Sequence, residues 1–305
     1  MSARVHVLEN DIWQVGFLPD TGCSTAFGRV RRGREWLDFL RPTPEPDRGD
    51  PLSCASYVLL PWSNRIRDAR FRFRGRDYAV RRNFGDGTAI HGTARDFAWT
   101  VKVASRDRFA AAWDSRTADR PNWPFKFSCR VEASVEGASW TTTTRLRNED
   151  DVPFPAGMGH HPYFQRALLG EQDRVEVEIP CRRYYLAERC LPSAAAVPVE
   201  PRVDFRQLRP LGEPFVDDCL TDRASDAPIR FVYPKAALTV KLAFDALYSH
   251  VVVYIPTGQT YFAVEPVTHV NDGFNLFEKG VDGTGVRVLE PGEELVASHT
   301  FTVTS

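Results

Sequence analysis

Five short segments gather the side chains that could do chemistry. "GMGHHPYF" (157–164) sets His160 and His161 side by side, with Tyr163 close behind, in a chain that has seven histidines. "LPWSNRIRD" (60–68) joins Trp62 to Asn64 and Arg65, and "IHG" (90–92) places His91 before a glycine that lets the backbone turn. "FVDDCLTD" (215–222) holds Asp217 and Asp218 in an apolar frame. "YFAVEPVTHVNDGFN" (261–275) drops Glu265 at the end of an apolar run, directly before a proline, with Phe274 near its close. A carboxylate that ends a buried-looking strand is costly unless it is paired or used. Together the segments supply imidazoles, carboxylates, a guanidinium and aromatic rings. Those groups can hold a polyhydroxylated molecule and move protons on it.

Each group also has a plainer reading. Turns collect Asn, Asp, Gly and His without any functional cause, and a lone histidine is ordinarily a hydrogen-bonded structural residue. Neighbours on a strand point to opposite faces, so His160 and His161 do not share one metal ion. No HxH or HExxH spacing occurs, and neither a metal nor another cofactor is expected. One of the two histidines should face a cleft and the other packing or solvent. Cys219, beside the aspartates, reads as a small packing residue, because no basic partner for a nucleophile is evident.

The elements that must position these groups are strands. "RFRFRG" (70–75), "FKFSCRVEASV" (125–135), "SWTTTTRLR" (139–147), "RVEVEIP" (174–180), "LTVKLAF" (238–244) and "HVVVYIP" (250–256) alternate with a period of two and are rich in Val, Ile, Thr, Phe and Tyr. Twenty glycines and 22 prolines punctuate them at short intervals, and no segment keeps a helical period over three turns. The expected fold is all-β, with antiparallel sheets packed face to face in one domain over 1–305. The stretches 41–51 and 191–201 read as surface connections.

Composition narrows the function further. With 305 residues, 43% hydrophobic and 26% charged, the chain can bury a sizeable core. Eight arginines lie between 65 and 82, but those of "RFRFRG" alternate with buried-looking phenylalanines, as on a solvated strand face. A net charge of −1 gives no footprint for nucleic acid or an anionic membrane. No run approaches the ~20 apolar residues of a membrane helix, and the first residues lack the apolar core of a signal peptide. Six scattered cysteines without a C-x-x-C pair read as reduced thiols, so a cytoplasmic location is expected.

"NRI", "HG", "H-x-YF", the aspartate segment and "EP…DGFN", in this order from Leu60 to Asn275, resemble the aldose 1-epimerase (galactose mutarotase) family. The resemblance implies a large antiparallel β-sandwich, the galactose mutarotase-like supersandwich, with a sugar cleft on one sheet and no cofactor. It implies that Glu265 is the general base, that His161 is the general acid, and that His91 is a second histidine near the ring oxygen; for those roles Glu265 is expected to be ionised and His161 protonated, a division kept by the field between imidazolium and carboxylate. Arg65, with Asn64 beside it, and an aspartate would hold sugar hydroxyls; the family pattern favours Asp217, with Asp218 the alternative. Trp62, Tyr163 and Phe274 either lie against the apolar face of a sugar or pack the sandwich. His160, Pro162, Thr93 and Asn271 depart from the pattern of galactose-type members, and they border the pocket.

Three other activities fit some of these residues. A hexose-6-phosphate 1-epimerase needs an added basic cluster, for which Arg67 and Arg95 are available. A non-catalytic sugar-binding module would not call for an acid–base pair. A glycoside hydrolase needs two carboxylates astride a glycosidic bond, for which Asp217 and Glu265 could serve.

Overall fold

Alternation becomes burial strand by strand. In the computed structural model, which describes residues 4–304 apart from 172, 225 and 226, Phe127–Glu136 and Ser139–Asn148 bury every second side chain. They pair antiparallel along their whole length. With Glu294–Thr304, Leu238–Phe244 and Ile229–Tyr233 they form the middle of a nine-stranded sheet. An eight-stranded sheet has Val216–Arg223, His250–Ile255 and Tyr261–Val267 at its centre, followed by Gly159–His160 and Val58–Leu59.

The two sheets share one apolar core. Val251, Val253, Phe262, Val264 and Phe164 of the smaller sheet pack with Val131, Leu146, Val240 and Phe301 of the larger, and Phe164 stacks on Phe231 at 4.4 Å between centroids. Removing this apolar area from water is the main force holding the sheets together, at about 25 cal/mol per Å². A further sheet of four strands between His6 and Asp38 abuts the core through Trp13, which meets Phe39 and Trp140 edge-on.

Several expectations hold and some are refined. Arg70, Arg72 and Arg74 are exposed while Phe71 and Phe73 are buried, the solvated face read from alternation. Only Glu176–Glu178 of the segment 174–180 is strand. Residues 41–51 are a connection carrying a short 3-10 turn, while 191–201 contains two short strands, Leu191–Pro192 and Val197–Pro198. The segment "DGFN" opens a six-residue α-helix, Gly273–Glu278. Its first turn is pinned by tertiary bonds, Asn275 Nδ2 donating to Arg70 O at 2.9 Å, which no helical period announces. All six cysteines are free thiols. Among the described residues no helix is long and apolar enough to cross a membrane.

Candidate active site

Register places the polar groups on one face of the eight-stranded sheet. Cys219, Val252 and Glu265 lie in one cross-strand row, and Asp217, Tyr254, Ala263 and Tyr163 in the next. The alternate residues, Val251, Val253, Phe262 and Val264, face the core, so these two rows face away from it.

The adjacent histidines part as neighbours on a strand must. His160 turns inward, its Nε2 2.7 Å from Thr144 Oγ1 and its ring 4.5 Å from that of His299. His161 emerges on the opposite side, its Nε2 3.2 Å from Glu265 Oε1. Tyr57 stacks on the His161 ring at 4.8 Å, Tyr163 lies 4.5 Å away, and His91 meets it edge-on at 5.2 Å. Glu265 Oε2, His161 Nδ1 and His91 Nδ1 are buried without a hydrogen-bond partner among the described residues. Buried polar atoms are nearly always paired, so three orphans at one cluster mark it out.

His91 and Arg65 are brought there by an interlocked pair of loops. Leu60 O accepts from the amides of Thr93 and Ala94, and Asn64 O from that of His91. Asn64 and His91 both take left-handed backbone, at φ 52° and 63°. A Cβ on Gly92, itself at φ +71°, would lie 2.0 Å from Leu60 O, which is why glycine follows His91. Asn64 Oδ1 accepts from Arg65 Nη1 at 3.2 Å, so Asn64 braces the arginine. Arg65 Nε bonds Asp86 at 2.9 Å, and its Nη1 stands 3.8 Å from Asp217 Oδ2.

The choice between the aspartates follows from their faces. Asp217 shares the face of Glu265, whereas Asp218 points the other way and is held by Arg202 at 2.6 and 3.0 Å. Trp62 and Phe274 are not at the site. Trp62 is 0% exposed and stacks on Trp123 at 5.2 Å; Phe274 is 2% exposed, between Phe71 and Trp123. Both reach the interior because Trp123, distant in sequence, fills the space between them. Tyr163, half-buried in the row beside Glu265, is the one aromatic of the three that borders the cluster.

Burial sets the charge state. It pushes the Glu265 carboxyl well above its usual range, and the charge of Asp217 adds to the rise while Arg65 opposes it. Burial also lowers the His161 imidazole to about 3 and His91 well below 6.5, in the latter case aided by His161. Asp217 is raised by burial against the Cys190 thiol and Arg65. The expectation of an ionised Glu265 beside a protonated His161 is therefore corrected for the free protein. Desolvation disfavours both charged forms, so burial favours an uncharged carboxyl and an uncharged imidazole.

Three neighbours, Tyr57, Arg41 and Cys190, are not legible in the sequence; Asn271, read there as bordering the pocket, joins them. Tyr57 sits in an apolar run that reads as core. Arg41, in a connection, lays its guanidinium 4.2 Å from the Tyr163 ring centre and 4.5 Å from that of Tyr261. The Cys190 thiol donates to Asp217 Oδ2 at 3.0 Å, and Asn271 Nδ2 donates to Cys190 O at 2.8 Å. Only the long-range pairing of strands reveals these contacts. Among the described residues no group of three or more His, Cys, Asp or Glu is placed to hold a metal ion.

Comparison with known proteins gives one coherent result. The family model described as "Aldose 1-epimerase" matches residues 30–302. The uncharacterized protein YihR of Escherichia coli is 25% identical over 249 residues, covering 80% of this chain and 77% of YihR. A galactose mutarotase-like protein from Clostridium acetobutylicum superposes with a TM-score of 0.82 at 16% identity, covering 100% and 99% of the two chains. A GalM/aldose epimerase homologue from C. elegans does so at 0.81 and 16%, covering 99% and 98%. The fold is the galactose mutarotase-like β-sandwich.

Proposed function

Because the chain belongs to the aldose 1-epimerase family, we propose that it interconverts the α and β anomers of a free aldose by opening and reclosing the ring. The observation that carries this reading is the pairing of Glu265 and His161 at 3.2 Å, with Arg65 and Asp217 on the same face. Binding alone gives no reason to hold an acid and a base together.

The steps balance without a cofactor. Glu265 takes the proton of the C1 hydroxyl while His161 delivers one to the ring oxygen. The C1–O5 bond breaks with its electron pair on O5, and C1 becomes an aldehyde. Rotation about C1–C2 presents the other face, and the same two groups work in reverse. The free protein sits one proton transfer from this state. Sugar hydroxyls donating to Glu265 replace the hydrogen bonds that burial removed and favour its ionised form, and the proton crosses the short contact to His161. Arg65 and Asp217 hold hydroxyls across the ring, and His91 faces the same space.

A free aldose is favoured over a phosphorylated one by what the available arginines already do. Arg67 Nε bonds Asp272 at 3.3 Å and Arg95 Nε bonds Asp96 at 3.3 Å, so each guanidinium already faces a carboxylate with which a phosphate would have to compete. The test is anomer exchange by ¹H NMR on a panel of free and 6-phosphorylated aldoses. Exchange that scales with protein concentration on free sugars is expected. Protein-independent rates across the panel, even with binding, would leave a binding module; release of sugar from aryl glycosides would point to hydrolysis instead.

A further inference from the structure

A tight turn beside the site carries side chains where its backbone favours glycine. Ala187–Glu188 and Leu191–Pro192 pair as a hairpin with Glu188 opposite Leu191, so Arg189 and Cys190 are its two turn residues, at φ 49° and 63°. Two positive φ values in succession are what Asn-Gly or Gly-Gly supplies, and larger residues are strained there. Asn271 holds the turn in place. Its Nδ2 donates to Cys190 O at 2.8 Å, and its backbone amide lies against the thiol of Cys219, in the row of Glu265. Of the six cysteines only Cys190 is not buried.

The turn aims its thiol at one oxygen of Asp217. Cys190 Sγ donates to Oδ2 at 3.0 Å. Arg65 Nη1 stands 3.8 Å from the same oxygen, with its Nε given to Asp86. That separation exceeds a hydrogen bond, so Arg65 attracts the carboxylate without directing it. Rotation about the last bond of an aspartate is loosely restrained, and the thiol is the contact that sets it. Both contacts fall on Oδ2, and among the described residues no donor meets Oδ1. A second acceptor stands open at the same edge. Asn271 is 2% exposed, and its Oδ1, at the other end of the amide that holds Cys190, has no hydrogen-bond partner among the described residues. A buried acceptor is nearly always paired, so this one points to a ligand that brings a donor.

From this geometry we infer that Cys190 is a positioning residue: its thiol fixes the Asp217 carboxylate so that Oδ1 meets a hydroxyl of the bound sugar, at an edge where Asn271 Oδ1 accepts another. The thiol remains a donor across the neutral range, because burial and the charge of Asp217 push it up to about 12. The same shift makes it a poor nucleophile, which fits a role in holding rather than reacting. Alanine or serine at position 190 keeps the Cβ, so neither changes the strain of the turn, and only serine keeps a donor.

The inference rests on the proposed anomer exchange, which gives Asp217 a hydroxyl to hold, and the test separates the two. Exchange kinetics are measured on the free aldose that the parent turns over fastest. Cys190→Ala should raise KM about fivefold, a change of about 1 kcal/mol, and leave kcat within about twofold. Cys190→Ser, whose hydroxyl donates from the same place, should restore KM to within about twofold of the parent. In an Asp217→Ala background, assayed at raised protein concentration, adding Cys190→Ala should change KM by less than about twofold, because the group it positions is gone. An unchanged KM in Cys190→Ala, a serine variant as poor as the alanine one, or the same loss with and without Asp217 would overturn the inference. A parent that exchanges no anomers removes the proposed reaction instead. Saturation-transfer binding of glucose to the parent and the two position-190 variants then still decides: binding weakened by alanine and kept by serine upholds the positioning role, and any other pattern, absent binding included, rejects it.

Discussion

Replacing Glu265 by Gln lowers catalysed anomer exchange by about 10²-fold or more, and the loss falls on kcat. Glutamine keeps the shape of the side chain and its capacity to meet sugar hydroxyls, but it cannot take the C1 proton at neutral pH. The position is 1% exposed, and the neutral amide matches the uncharged carboxyl that burial favours there, so the variant should fold about as well as the parent. Following the decay of freshly dissolved α-glucose by polarimetry gives both constants. A variant as fast as the parent would mean that Glu265 is not the base.

The adjacent histidines give a contrast nearly as large. His161→Ala removes the proposed acid and should also cost about 10²-fold in rate. His160→Ala, one residue away, should change the rate only a few-fold and act on stability instead. It leaves Thr144 Oγ1 without its 2.7 Å partner, a loss of about 1–3 kcal/mol for a buried polar group. The stability effect has a pH signature. Burial lowers His160 from 6.5 to about 4, so between these values the unfolded chain binds a proton that the folded chain refuses. That contribution disfavours folding as pH falls below about 6.5 and is absent above it. Removing the imidazole removes this acid penalty, so the gap in melting temperature between parent and His160→Ala should narrow from pH 7 to pH 5. A gap that widens in acid, or equal rate losses at the two positions, would show the faces to be wrongly assigned.

What the sequence discloses and what it hides divide along physical lines. Period-two alternation is local and robust, so Phe127–Glu136, Ser139–Asn148 and Leu238–Phe244 are legible within a residue or two. The same parity announces that His160 and His161 part company, though not which one faces the cleft. That depends on Thr144 and Glu265, which lie on different strands. Asp217 and Asp218 are separated by the same means, with Arg202 claiming the second. Trp62 and Phe274 show the opposite case. Their polar neighbours suggest a site, yet both pack on Trp123, a contact that no local pattern signals. The charge state was also hidden, because residue types alone favour an ion pair, whereas burial works against both charges.

The account stands on a single sugar ring spanning Glu265 and His161. The most direct test is a crystal structure of the Glu265→Gln variant soaked with an aldose, in which slow exchange preserves the bound anomer. The anomeric oxygen should lie within hydrogen-bond reach of residue 265 and the ring oxygen within reach of His161 Nε2, with Arg65 and Asp217 on hydroxyls at the far side. A sugar whose C1 points toward Arg65 and Asp217, or one seated away from this face of the sheet, would contradict it.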